Sequence, residues 1–325
     1  MQTVRWGIIG CGDVTEVKSG PGFQKANGSA LVAVMRRDRA KAEDYARRHG
    51  VARAYDDADA LIADAEVDAV YVATPVSSHC DLALRVAAAG KPCLVEKPMA
   101  MNYAECARLV DAFAARRLPL WVAYYRRALP RFLTIRELLH TGTIGTPASI
   151  HVSIADRVAS GETLRNWRLD PDISGGGLFH DLGSHCIDLV DFLLGPIDDA
   201  AGFSSNTAGA YSPPDVTALA CRFAGGAAGT GIWNFNAERK SDVMTITGSA
   251  GTIASPIFSD TDVIVTRDGQ TEVLPIRNPP HVHQPLIQSI VGELGGGRPC
   301  ASSGESGARA AWVMDRCRQA PAPSQ

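Results

Sequence analysis

The chain has no excess of positive charge, no paired-cysteine motif and no apolar run that approaches the length of a membrane span. Its 32 Lys and Arg against 35 Asp and Glu leave a formal net charge of -3, which excludes a basic footprint for nucleic acid. The cysteines, at positions 11, 80, 93, 106, 186, 221, 300 and 317, include no Cys-x-x-Cys pair. Such scatter reads as buried thiols in a reducing compartment, neither a zinc knuckle nor a disulfide framework. Arg5 and Trp6 lead straight into a strand-like run without a signal-peptide pattern, so a cytoplasmic location is expected. Internal repeats and low-complexity segments are also missing. What is there is ordinary globular composition, 46% hydrophobic and 21% charged, in 325 residues that suit two domains.

Val4 to Ile9 is a short apolar run ending in Gly10-Cys11-Gly12, and a helix can begin near Val14. Strand, glycine turn and helix N-terminus together receive a pyrophosphate through backbone N–H groups. Thr15 stands at the usual third glycine position. Further strands are predicted at 31–35, 69–73, 92–95 and 119–123, alternating with helices near 39–49, 77–89 and 103–116. That alternation implies a parallel sheet covered on both faces, with ligands outside the carboxyl ends of its strands. At the end of the second strand an acid would hold the ribose hydroxyls of NAD, and an arginine would accommodate the 2′-phosphate of NADP. Arg36 and Arg37 occupy that place, about twenty-five residues past Gly12. NADP(H) is therefore expected in preference to NAD(H), the alternative being two solvated surface charges.

Cys93-Leu94-Val95-Glu96-Lys97-Pro98 puts a lysine where a parallel strand ends. Burial beside an oxidised nicotinamide would pull a lysine pKa down from about 10.4 toward values useful for proton transfer. Pro98 restricts the backbone of Lys97, and a cis bond there would re-aim the side chain. A second constellation runs from Ser174 to Asp188. Ser174 can cap a helix, Gly175-Gly176-Gly177 permit close approach, and apolar residues then recur at helical spacing. Asp181 and His185, four apart, share one helix face with Asp188 close to it. His180 points elsewhere, so these groups do not converge on a metal, and none is expected.

Tyr124-Tyr125-Arg126-Arg127 follows the last strand of the first half, before a helix from about 130 to 140. These residues either line a polar cleft or tie the domains together. An alternating strand is predicted at 148–156, then a loop over 157–172 in which Arg165, Trp167 and Arg168 are candidate substrate contacts. Strand-like runs near 197–206, 215–223, 228–236 and 242–247, separated by glycine-rich turns, form a mostly antiparallel sheet with a face to spare for a subunit interface. Helices near 283–294 and 304–319 close the chain, and 320–325 reads as a tail. His281 and His283 read as loop or helix-entry histidines.

Gly10-Cys11-Gly12, Ala73-Thr74-Pro75 with His79, Glu96-Lys97-Pro98, and Gly175-Gly176-Gly177 through Asp181, His185 and Asp188 together resemble the glucose–fructose oxidoreductase / inositol 2-dehydrogenase (Gfo/Idh/MocA) family. The resemblance spans almost the whole chain. It implies an α/β protein with an N-terminal Rossmann doubly wound parallel sheet (1–122) and a C-terminal α/β domain with a large open, mostly antiparallel sheet (123–325), assembled as a homodimer or homotetramer. By the same resemblance Lys97, Asp181 and His185 are the catalytic group. Gly10, Gly12, Asp13, Val14, Arg36, Arg37, Thr74, Pro75, His79, Glu96 and Lys97 would face the cofactor. Lys18, Tyr124, Arg127, Arg165 and Trp167 are the candidates for substrate. Arg36 points toward NADP-using members of the anhydrofructose reductase and dihydrodiol dehydrogenase types.

The expected activity is hydride transfer between nicotinamide and a CH-OH or C=O group of a sugar, polyol or similar small polar molecule, without nucleic acid or membrane partners. Lys97 and His185 would both contact the reacting oxygen, with either one moving the proton, and Asp181 would orient them. Two alternatives are a glycoside hydrolase that retains its NAD through turnover and a non-catalytic nucleotide sensor. The three intact polar groups argue against the sensor.

Overall fold

A computed structural model describes residues 3–157 and 166–318. The chain forms two compact units, Met1–Leu129 with Pro279–Ala308, and Pro130–Asn278 with Arg309–Gln325. The first unit thus runs past the expected division after residue 122 and recruits a segment from near the end of the chain.

In the first unit, β1 (Val4–Ile9), β2 (Ser29–Met35), β3 (Arg53–Tyr55), β4 (Ala69–Val72), β5 (Cys93–Val95) and β6 (Leu120–Val122) form one sheet in the order β3-β2-β1-β4-β5-β6. Every pairing is parallel. All of β4 and β5 is buried, as expected where helices cover both faces of a sheet. The strand order reverses between β1 and β4, which opens a crevice at their carboxyl ends. Local chemistry sets the helix ends. Asp38 caps Arg39–His49 by accepting the Lys41 N–H, and Gly50 ends that helix in the left-handed region. Asn102 and Glu105 cap Tyr103–Ala114 from both sides, through the Glu105 and Met101 N–H groups. β3 was not among the predicted strands; its three residues are all half-buried and give no run long enough to recognise.

The recruited segment contains the helix Gln284–Leu294, whose Leu286, Ile287, Ile290 and Val291 join Trp6, Phe23 and Trp121 in one core cluster. Gly22 admits it: a Cβ there would lie 2.9 Å from Ile287 Cδ1. Trp121 Nε1 donates to Glu293 Oε2 at 2.9 Å, closing the same packing with a hydrogen bond.

The second unit is built on β7 (Pro147–Arg157), β8 (Ile197–Ser205), β9 (Val216–Phe223), β10 (Ala228–Asn234), β11 (Asn236–Gly248), β12 (Gly251–Ser255), β13 (Val263–Arg267) and β14 (Gln270–Leu274), ordered β14-β13-β12-β11-β7-β10-β9-β8. Only β7 and β10 pair in parallel. β12 to β14 extend the predicted sheet by three antiparallel strands. Strict alternation gives the sheet a buried face, with Ile150, Val152, Ile154, Trp233, Met244 and Ile246, and an exposed one.

Candidate functional site

The glycine turn lies at the carboxyl end of β1. Gly10 has φ +93, and a Cβ there would fall 2.7 Å from Thr74 Cγ2, so only glycine lets the end of β1 pass the end of β4. Met35 O accepts both Gly10 N–H and Cys11 N–H, which ties the turn to the end of β2. Beside Gly12 the space is open: a Cβ there would meet nothing nearer than Gly10 O at 3.9 Å. Thr15 replaces a third glycine by turning inward, donating its hydroxyl to Gly12 O at 2.7 Å and accepting Gly12 N–H at 3.0 Å. The helix that follows is only Asp13–Val17, with Asp13 exposed and Val14 half-buried, and Lys18 is exposed just beyond it.

Arg36 is exposed at the end of β2 and donates from Nη1 to Cys11 O at 3.4 Å. Arg37 is exposed next to it. The nearby acid, Asp38, is engaged as a helix cap, and Lys41 also holds its carboxylate at 3.4 Å. Its pKa is lowered chiefly by the Lys41 backbone N–H. The glycine turn is thus bordered by exposed cations at the end of β2, where the described acid, Asp38, is committed to its helix.

Thr74, half-buried, accepts from Ser78 Oγ at 2.8 Å, and Pro75 is exposed beside it. His79 is enclosed, with Nε2 2.7 Å from Thr74 O and Nδ1 2.9 Å from Pro98 O. Burial pushes the His79 pKa down, while the two carbonyl oxygens facing its ring nitrogens work to raise it. Its evident work is to join two loops. Lys97 is half-buried after β5, and the Lys97–Pro98 bond is cis.

Glu96 turns inward. Oε1 accepts the Tyr71 hydroxyl and faces His283 Nε2 at 3.2 Å, while Oε2 accepts Lys97 N–H at 2.8 Å. Burial works to raise its pKa, yet the bond and charge of His283, the Lys97 charge and the Tyr71 hydroxyl outweigh that and lower it to about 2. Tyr71 goes the other way, raised by burial and the adjacent carboxylate. His283 is the N-cap residue of the helix Gln284–Leu294, in keeping with its reading as a loop or helix-entry histidine, and it is 2% exposed; its meeting with Glu96 was not expected.

Tyr124 and Arg127 are both buried, and Arg127 Nη1 donates to Ala301 O at 3.1 Å. Both partners of that bond belong to the first unit.

In the second unit, Ser174 does not cap the long helix; it ends the short helix Pro171–Ser174, and its Oγ accepts Gly177 N–H at 3.0 Å. Gly175 and Gly177 both have positive φ, and a Cβ on Gly177 would sit 2.5 Å from Pro213 Cβ. Phe179–Gly183 then forms a π-helical turn before the α-helix Ser184–Leu194. Asp181 therefore stands in a wider turn than the predicted α-helical spacing assumed, while His185 is in the α-helix. Such π-turns are frequent at functional sites. Phe179 packs edge-on against Trp233 at 5.1 Å, and a Cβ on Gly183 would lie 2.6 Å from the Phe179 ring. Glycine at 183 leaves room for that ring.

Arg168 Nε meets Asp181 Oδ2 at 3.2 Å, and its guanidinium covers the exposed Trp167 ring at 4.5 Å. His185 is buried, with the Phe258 ring edge-on at 6.1 Å. Asp242 arranges that phenylalanine by accepting the Ile257, Phe258 and Ser259 N–H groups. Asp188 is buried one turn along from His185. Arg165 lies outside the described residues. Among the described residues no three His, Cys, Asp or Glu side chains gather in a metal-holding group.

Fold and site together define a dinucleotide-binding α/β protein with a second, sheet-based unit. The oxidoreductase family with an NAD-binding Rossmann fold matches residues 4–124, and the GFO/IDH/MocA C-terminal domain matches 132–254. Oxidoreductase P35 of Formosa agariphila is 41% identical over 317 residues, covering 96% of this chain and 97% of that protein. The 1,5-anhydro-D-fructose reductase of Ensifer adhaerens is 30% identical over 63% of this chain and 61% of its own length. A solved levoglucosan dehydrogenase in complex with NADH has the same fold, with TM-score 0.87 at 22% identity, covering 97% of this chain and 96% of that one. The chain belongs to the GFO/IDH/MocA family of oxidoreductases.

Proposed function

We propose that the protein is an NADP(H)-dependent oxidoreductase that interconverts a hydroxyl and a carbonyl on a sugar, polyol or related small polar molecule. The observation that carries the cofactor preference is at the end of β2: Arg36 reaches the Cys11 carbonyl of the glycine turn, while Asp38 is committed to its helix. An uncommitted acid there would favour NAD; a cation beside the turn favours a 2′-phosphate. Family membership and the reductase among the relatives support the substrate class.

A bound nicotinamide would supply or accept the hydride. Gly10 and Gly12 would leave room for the pyrophosphate, and Arg36 and Arg37 would pair with the 2′-phosphate. By the family's pattern Lys97 and His185 would act on the reacting oxygen, one transferring its proton and the other donating a hydrogen bond. Asp181 would orient its neighbours and offset a developing positive charge. Trp167 contributes an exposed ring, and Lys18 an exposed ammonium, toward substrate selection.

The exposed sheet face supports a homodimer or homotetramer. Register places Phe203, Ala218, Ile232, Ser153 and Val243 in one row across β8, β9, β10, β7 and β11. Phe203 is 81% exposed, and the row has no charge to resist burial against a second copy.

The test follows nicotinamide absorbance with NADPH and separately NADH across ketoses, osones, anhydroketoses and diketones, with sugars and polyols for the reverse reaction. Turnover with NADPH, and a Kd for NADPH at least about tenfold below that for NADH, is expected, the effect of one charge-assisted contact. Equal or tighter NADH binding refutes the preference. No net turnover from protein that keeps its cofactor would favour the glycoside hydrolase.

A further inference from the structure

His283 stands 187 residues from Glu96 in sequence, yet their side chains meet inside the first unit. Its Nδ1 is buried and makes no hydrogen bond among the described residues. With Nε2 at 3.2 Å from a carboxylate oxygen, the proton belongs on Nε2. The ring is backed by Tyr125, centroid to centroid 4.5 Å, and Arg126 lies over Tyr125 at 4.9 Å. It cannot swing away without leaving that stack.

We propose that His283 is a positioning residue for Lys97, acting through Glu96. Together with the Tyr71 hydroxyl it occupies Oε1, so that the carboxylate presents Oε2 to the Lys97 backbone N–H. That bond fixes the peptide from which the Lys97 side chain departs. The role rests on the proposed part of Lys97 in proton transfer, but the clamp itself does not. A buried carboxylate needs its donors: remove the histidine and Glu96 either turns toward another partner or takes up a proton. Both weaken its hold on Lys97 N–H. The titratable and charged groups around the carboxylate are Tyr71 on β4, Lys97 after β5, His283, and His79 on the helix His79–Ala88, with Tyr45 acting on Tyr71.

A matched pair of substitutions separates position from size. In His283→Gln the amide nitrogen reaches about as far as Nε2; in His283→Asn it reaches only about as far as Nδ1. Hydrogen exchange at the Lys97 amide reads the clamp without substrate. Turnover and its pH profile, with NADPH and the best carbonyl compound of the panel above, read the consequence.

His283→Asn is expected to speed Lys97 exchange about tenfold, the loss of one charge-assisted hydrogen bond. It should lower kcat by about the same factor with KM nearly unchanged, and add an acidic limb as Glu96 takes up its proton. His283→Gln should restore all three. Unchanged Lys97 exchange in His283→Asn overturns the clamp. Faster exchange with unchanged kcat, where Lys97→Ala still abolishes turnover, overturns the positioning role. Turnover that survives Lys97→Ala overturns the part assigned to Lys97 and the positioning role with it, and the exchange data alone then decide the clamp. Should His283→Asn not fold, the ring nitrogen shifts of His283 in the native protein decide: a proton on Nε2, in the neutral ring or the imidazolium, supports the clamp, and the neutral Nδ1–H tautomer refutes it.

Discussion

Glu96 in the first unit and Asp181 in the second are both carboxylates beside a cation, and their surroundings are opposite. Glu96 is enclosed, 7% exposed, with donors from β4, from its own loop and from a helix near the chain terminus. Asp181 lies on a widened helical turn and shares a partly open surface with Arg168. Enclosure makes a carboxylate architectural: it holds the main chain and titrates far from neutrality. Partial exposure keeps a carboxylate within reach of a ligand, while solvent screening reduces what its ion pair contributes to stability.

Substitutions on either side sharpen that contrast. Lys97→Ala, next to the enclosed acid, should lower turnover about a hundredfold or more and leave NADPH binding nearly intact, as read by kcat and by nicotinamide fluorescence titration. A comparable effect on stability should follow from pH. Because the folded pKa of Glu96, about 2, lies below its ordinary 4.5, its contribution is fully present above the higher value and is lost as pH falls through the lower. Urea unfolding should therefore show about 3 kcal/mol lost between about pH 5 and pH 2 from this group, and Glu96→Gln should lack that portion.

Arg36→Ala should weaken NADPH about tenfold while NADH changes little. A loss shared equally by both cofactors would show that Arg36 supports the glycine turn rather than a phosphate. Smallest is Arg168→Ala. Breaking a pair this exposed should cost about 1 kcal/mol or less of stability, measured by thermal unfolding, and a larger loss would mean that Asp181 is as architectural as Glu96. Independently of these, the proposed association through the outer sheet face predicts a dimer or tetramer in light scattering that Phe203→Asp converts to monomer; a monomer before substitution refutes it.

Much of the first unit was legible because strands buried on both faces write continuous apolar runs, and turns at strand ends demand glycine. Val4–Ile9 before Gly10-Cys11-Gly12 carries both signals. In the second unit alternation revealed β7 to β11 but not β12 to β14, and in the first unit β3 was missed. Three half-buried residues at β3 give no periodic signal, and the last strands are short, with β14 almost wholly exposed. The π-turn was illegible for a different reason. Spacing four residues apart describes a regular α-helix, whereas Asp181 lies in a π-helical turn whose Phe179 packs on Trp233 and Gly183.

Chain-local chemistry settled the glycine turn, the capping of helices by Asp38 and Asn102, the cationic end of β2 and the placement of Lys97 after a strand. These draw on neighbours in sequence, although the demand for glycine at position 10 comes also from Thr74 at the end of β4. Tertiary structure alone decided that Gln284–Leu294 would complete the first core, that Arg127 would be buried, and that His283 would meet Glu96. The physical reason is that an amphipathic pattern states how much apolar surface must be covered without naming what covers it, and a buried charge must find donors wherever packing brings them.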